Sequence, residues 1–103
     1  MTSRKVKESV VYWQKTAAHD YETMQGLFKI KRYSDSLFFG HIVLEKILKA
    51  QVVRKTKKQA EYTHNLVKLA EDAKFNLTED EWGLLGEVNR FNVRTRYPDD
   101  KLA

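Results

Sequence analysis

The sequence predicts an all-α fold, an antiparallel up-and-down four-helix bundle with room for one extra short helix. Three observations carry this. Apolar residues recur at steps of three and four along several stretches. No stretch alternates with the period of a strand. The single Pro stands at position 98, so the rest of the chain is free of the strongest helix breaker. A chain of 103 residues suits one domain, residues 1–103, because one apolar core of this size offsets chain entropy where two would not.

The first helix is marked by Val6, Val10, Trp13, Ala17, Tyr21, Met24 and Phe28, which trace one face. Ser3 is its expected N-cap, and it should stop between Gly26 and Ile30, ahead of a basic junction. A second run follows Tyr33, with Ser34 or Asp35 available as N-cap and Leu37, His41, Leu44, Leu48 and Val52 in helical register. Phe38, Ile42 and Ile47 widen that stripe, so this helix should lie centrally or bury a second face against another subunit. Thr63 is placed to cap a short third helix carrying Leu66, Leu69 and Ala73, broken at Asn76. Thr78 and Glu81 form a capping box for the fourth helix, whose buried stripe is Trp82, Leu85, Val88 and Phe91 or Asn92. Pro98 ends it. The connections are short, which makes neighbours antiparallel, with aromatics of the first, second and fourth helices expected in the middle.

Composition narrows the functional classes. No cysteine is present, which excludes a disulfide scaffold, a thiolate metal site and a Cys nucleophile together. The three scattered histidines have no paired spacing, so no metal site and no cofactor are expected. Met1–Val11 carries Arg4, Lys5, Lys7 and Glu8 with no continuous apolar core, so neither a signal peptide nor a membrane contact is expected and the protein should be cytoplasmic. A net charge of +5 favours polyanions without naming one. The run Arg54–Lys58 suits RNA or an acidic partner, and equally suits a solvated helix end.

Several landmarks recur in a fixed order. They are Trp13, Ala17 and Asp20; Phe38 or Phe39, His41, then Glu45-Lys46-Ile47-Leu48-Lys49-Ala50; Thr63-His64-Asn65-Leu66 with Leu69; and Arg96-Tyr97-Pro98-Asp99. In this the chain resembles a HEPN domain over its whole length. The resemblance implies a helical bundle that dimerises and is often encoded beside a minimal nucleotidyltransferase, the pair frequently forming a toxin–antitoxin module. It also implies a nucleotide- or RNA-binding role, because many HEPN proteins are metal-independent endoribonucleases whose site pairs across the dimer and holds an Arg followed closely by a His.

In the Arg-x4-His-x-Tyr form of that motif Arg90 supplies the Arg and Tyr97 the Tyr, while Thr95 stands where the His belongs. Metal-free RNA cleavage needs a group that moves a proton near neutral pH, and imidazole is suited to it where threonine is not. Arg90, Arg94 and Arg96 can still hold a phosphate through charge-assisted hydrogen bonds. The same cations also complement the end of a helix dipole. Tyr97 matches the tyrosine that partner nucleotidyltransferases of some HEPN pairs modify with AMP; its ring can equally pack back on the bundle.

Glu45 lies one turn beyond His41, and Asp20 can approach from the first helix. An interior polar group of this kind either orients an arginine such as Arg90 or forms an ordinary ion pair with Lys49, also one turn away. His64 beside Thr63 reads as a structural hydrogen-bonding residue. The leading expectation is a non-catalytic or weakly catalytic HEPN protein, a homodimer that binds a minimal nucleotidyltransferase. Its rivals are an active endoribonuclease toxin, in which Arg90, or Arg94 and Arg96, work with a polar group from elsewhere such as Glu45 or His41, and a plain RNA- or nucleotide-binding domain.

Overall fold

The structure, a computed structural model, describes residues 1–96, with side chains as far as Phe91. Four helices follow one another: α1 (Ser3–Lys29), α2 (Tyr33–Thr56), α3 (Leu66–Asp72) and α4 (Glu79–Arg96). Among the described residues there is no strand, and the all-α bundle expected from the periodicity is what forms. None of the described helices is long and apolar enough to cross a membrane.

The helix ends depart from the expected caps in instructive ways. Thr2, not Ser3, caps α1, because its backbone is extended (φ −72°, ψ 161°) and its hydroxyl accepts from the N–H of Lys5 at 3.1 Å. The chain reverses at Ile30–Arg32, where Lys31 takes the left-handed conformation, φ 64°. Neither Ser34 nor Asp35 caps α2, which starts at Tyr33 with no side-chain cap. Asp35 lies instead in the first turn, where a carboxylate complements the helix dipole, and pairs with Arg32 at 3.5 Å. Buried Ser36 donates to the Met24 carbonyl at 2.9 Å and so fastens the α1–α2 hairpin.

Asn65, not Thr63, caps α3: its side-chain oxygen accepts from the N–H groups of Val67 and Lys68, while Thr63 closes the preceding turn onto the Asn65 N–H. The amide oxygen reaches two orphan donors at once, which a hydroxyl two residues earlier does not. α3 also stops before Asn76, because Lys74 at φ 58° turns the chain and Phe75 N–H bonds back to the Ala70 carbonyl. The capping box of α4 forms as expected, with Thr78 N–H to Glu81 at 2.9 Å and Glu81 N–H to Thr78 at 3.2 Å.

Val6 and Val10, near the start of α1, pack against Ala50 and Val53, near the end of α2, so the two helices are antiparallel. A second cluster joins Leu48 and Val52 of α2 to Leu66, Leu69 and Ala70 of α3 and to Ala73, with Trp82, Leu85 and Val88 of α4 against it. α2 therefore touches all three other helices, whereas among the described residues α1 packs on α2 alone. The middle is aliphatic, contrary to the expected aromatic filling. Small residues such as Ala50, Ala70 and Ala73 bring the helices close and leave the rings at the edge, Trp13 and Trp82 half-buried and Tyr12, Phe28, Tyr33, Tyr62 and Phe91 exposed. Because α1 does not reach α4, an apolar trough of about 680 Å³ lies open along α1 and α2 as far as Val88.

Candidate functional site

The candidate site is a stack of polar side chains threaded through α2 where α3 begins. His41, Glu45 and Lys49 recur at steps of four, so α2 presents them one above another on its inner side, all three buried. A buried carboxylate needs partners. Glu45 finds them on two elements: Lys49 Nζ lies 3.2 Å from Oε2, and His64 Nδ1, from the approach to α3, lies 2.8 Å from Oε1. His41 Nε2 stands 3.8 Å from the same Oε1 and bonds to the His64 carbonyl at 2.9 Å. A carbonyl only accepts, so His41 carries its proton on Nε2.

The Lys49 ammonium is surrounded rather than solvated. It sits 5.2 Å from the centroid of the Trp13 ring on α1 and 5.8 Å from that of Tyr62, with Glu45 on its remaining side. Aromatic faces attract a cation most strongly when it is stripped of water, as here. The stack thereby ties α1, α2 and the start of α3 together through charge. Asp20 takes no place in it; the carboxylate pairs with Lys46 of α2, a separate tie between the first two helices.

A second polar clasp joins α3 to α4. Asn89 donates through Nδ2 to the side-chain oxygen of Asn65 at 2.9 Å, and its own oxygen accepts from the Leu66 N–H at 2.9 Å. Sequence reading passed over this pair; an Asn immediately before an apolar α3 stripe was the available signal, since Asn ranks among the best N-caps. The sequence marks His64 only as a structural residue. Its Nδ1 donates to a buried carboxylate while half of the side chain remains exposed, which fixes the tautomer and turns Nε2 outward.

Of the expected site residues, the structure brings Glu45 and His41 together, with Lys49 and His64. Arg90 does not reach them: it lies exposed on α4, paired with Glu87. It is nonetheless the immediate neighbour of Asn89, as His64 is of Asn65. Arg94 and Arg96 belong to α4, but their side chains lie outside the described residues, as do the Thr95 side chain and all of Tyr97, Pro98 and Asp99. Among the described residues no three His, Cys, Asp or Glu side chains are arranged to hold a metal ion.

A four-helix chain with a central helix carrying a buried Glu–Lys–His stack defines an all-α domain built around polar interior contacts. The model of the HEPN domain matches residues 10–103, and the chain belongs to that family. No curated protein and no solved structure shows significant similarity to it.

Proposed function

We propose that this HEPN domain works as a binding module, a homodimer that engages a minimal nucleotidyltransferase as part of a toxin–antitoxin or accessory pair. The observation that carries the reading is the open trough on α1 and α2. Tyr21, Leu37, Leu44 and Ile47 line it and remain exposed, and a contiguous apolar surface of this kind on a small chain marks an interface. Family membership supports the choice of partner class. The absence of an imidazole at position 95, and the engagement of Arg90 with Glu87, support a role that is not catalytic.

Light scattering on the purified chain, alone and co-expressed with a minimal nucleotidyltransferase encoded beside it, tests this. The chain should have twice its monomer mass, and Leu44→Asp with Ile47→Asp should weaken the dimer by at least about tenfold through burying two charges. A chain that stays monomeric at high concentration and ignores the nucleotidyltransferase would sink the proposal.

One observation favours the endoribonuclease reading. Glu45 orients His64 with Nε2 outward, and the Asn65–Asn89 clasp holds the segments bearing His64 and Arg90 side by side. In that reading an imidazole from the start of α3 takes the place left by Thr95. Incubation of tRNA with the protein in EDTA separates the two readings: a binding module leaves it intact, whereas a ribonuclease cuts it and loses that activity in both Arg90→Ala and His64→Ala. Thr95→His, if it alone cuts, marks a ribonuclease frame that lacks its imidazole.

A further inference from the structure

The chain reverses between α1 and α2 on an exposed knob of apolar side chains. Phe28, Ile30 and Tyr33 are 62%, 67% and 51% exposed, and none of them lines the trough. The rings of Phe28 and Tyr33 meet edge to face at 5.3 Å between centroids, so the knob is already formed across the turn. A shallow groove of about 370 Å³ beside it is lined by Met24, Phe28, Leu37 and Gly40 among others, all from α1 and α2; α3 and α4 contribute nothing there.

Cations alternate with these side chains. Lys29, Lys31 and Arg32 are all exposed. Arg32 pairs with Asp35, whereas among the described residues neither Lys29 nor Lys31 has a carboxylate partner. The turn also keeps its backbone donors to itself: the N–H groups of Ile30, Lys31 and Arg32 bond to the carbonyls of Gly26, Phe28 and Leu27 at 3.3, 3.0 and 2.9 Å. The opposite end of the hairpin gathers more charge, because Val6 and Val10 lie against Ala50 and Val53 and so bring Arg4, Lys5 and Lys7 beside Arg54, Lys55, Lys57 and Lys58. There, however, Glu61, Glu71 and Asp72 share a pocket with Lys58.

From this juxtaposition we infer that the α1–α2 turn is a contact for the surface of an anionic bilayer, with Phe28, Ile30 and Tyr33 entering the boundary between headgroups and acyl chains and Lys29 and Lys31 on the phosphates. Open N–H groups bar a loop from an apolar medium, and the three at this tip are already bonded. A Tyr ring and long Lys stems suit a boundary that is apolar on one side and wet on the other. Apolar insertion and attraction of cations to anionic lipid add to each other, which is the combination that holds a protein on a membrane without spanning it. A groove in a partner protein would itself supply partners to open N–H groups and gains nothing from a tip whose donors are closed. The contact is a shallow one, consistent with described helices that cannot cross a membrane, and it departs from the lack of membrane contact expected from the N-terminal sequence. It does not rest on the dimeric partner reading.

Co-sedimentation with vesicles of phosphatidylcholine, alone or mixed with phosphatidylserine, tests it. The mixed vesicles should bind the chain at least about tenfold more tightly than the neutral ones. Phe28→Ser with Ile30→Ser, both at exposed positions, should lose at least about tenfold on the mixed vesicles. Lys29→Glu with Lys31→Glu should lose a similar factor, about tenfold or more. The matched control is Lys55→Glu with Lys57→Glu, likewise one lysine in the last turn of a helix and one in the left-handed conformation, and it should lose less than about threefold. Because the chain has no cysteine, a nitrobenzoxadiazole dye attached at Ile30→Cys reports depth. Its emission should shift to the blue on mixed vesicles, and the same dye at Tyr12→Cys should not respond. Equal losses in the two lysine pairs would mean that only net charge matters and would overturn the site. Unchanged affinity in the Phe28 and Ile30 double variant, or a dye at position 30 that stays in water, would overturn the insertion. A chain that ignores both kinds of vesicle would overturn the membrane assignment and leave the knob to a partner protein.

Discussion

Glu45→Ala should destabilise the fold by roughly 3–5 kcal/mol, because it strands a buried ammonium. Lys49 is 7% exposed through its side chain and has Glu45 as its carboxylate, the rest of its surroundings being two aromatic rings. The substitution also removes the acceptor that holds His64, and with it one tie between α2 and the start of α3. For a domain of this size such a loss lowers the melting temperature by at least about 12 °C. The cost belongs to the orphaned charge more than to the ion pair, so Glu45→Met combined with Lys49→Met should recover much of it. Calorimetry on the three proteins decides the matter; a Glu45→Ala protein as stable as the wild type would show that the stack is ornamental.

Leu69→Ala should cost about 2–5 kcal/mol, for a different reason. Leu69 is fully buried in the cluster of Leu48, Val52, Leu66, Ala70 and Ala73, whose two alanines are too small to fill a cavity. α3 has only seven residues, far too few to hold a helix by its own hydrogen bonds, so it exists because Leu66 and Leu69 anchor it. Urea denaturation should therefore show a lower midpoint for Leu69→Ala, while Leu84→Ala, at a residue 63% exposed, stays within about 0.5 kcal/mol of wild type. Equal midpoints for the two would contradict the assigned core.

The bundle was readable because helical periodicity is written into local sequence and survives tertiary packing. The stripes through Val6 and Val10, Leu48 and Val52, Leu66 and Leu69, and Leu85 and Val88 all became buried or half-buried contacts. Caps were less legible where two polar residues compete, as Thr2 does with Ser3 and Asn65 with Thr63. Thr78 and Glu81 had no such rival. The central position of α2 was foreshadowed by its girth, but the aliphatic middle was not, since nothing in a ring's identity says how closely Ala50 and Ala70 will draw their helices together.

The site was half legible. His41, Glu45 and Lys49 share a helix, so their meeting follows from spacing alone. Trp13, Tyr62 and His64 join them through packing between elements, and Asn89 reaches Asn65 across 24 positions of sequence. Sequence distance hides such contacts. The basic end was hidden in the same way, split between Arg4–Lys7 and Arg54–Lys58 until the hairpin closed.

Among the helices, α1 packs on α2 alone, with Ala60 of the chain leaving α2 against the same cluster. Of the helices, α2 alone touches both α1 and α4, so a load placed on α1 by a subunit in the trough passes through α2 or the segment that leaves it. The polar contacts along that route are Trp13 against Lys49, Lys49 against Glu45, Glu45 against His64, and then Asn65 against Asn89. The polar stack is thus a crankshaft as much as a fastening, and α2 is the axle through which one end of the molecule feels the other.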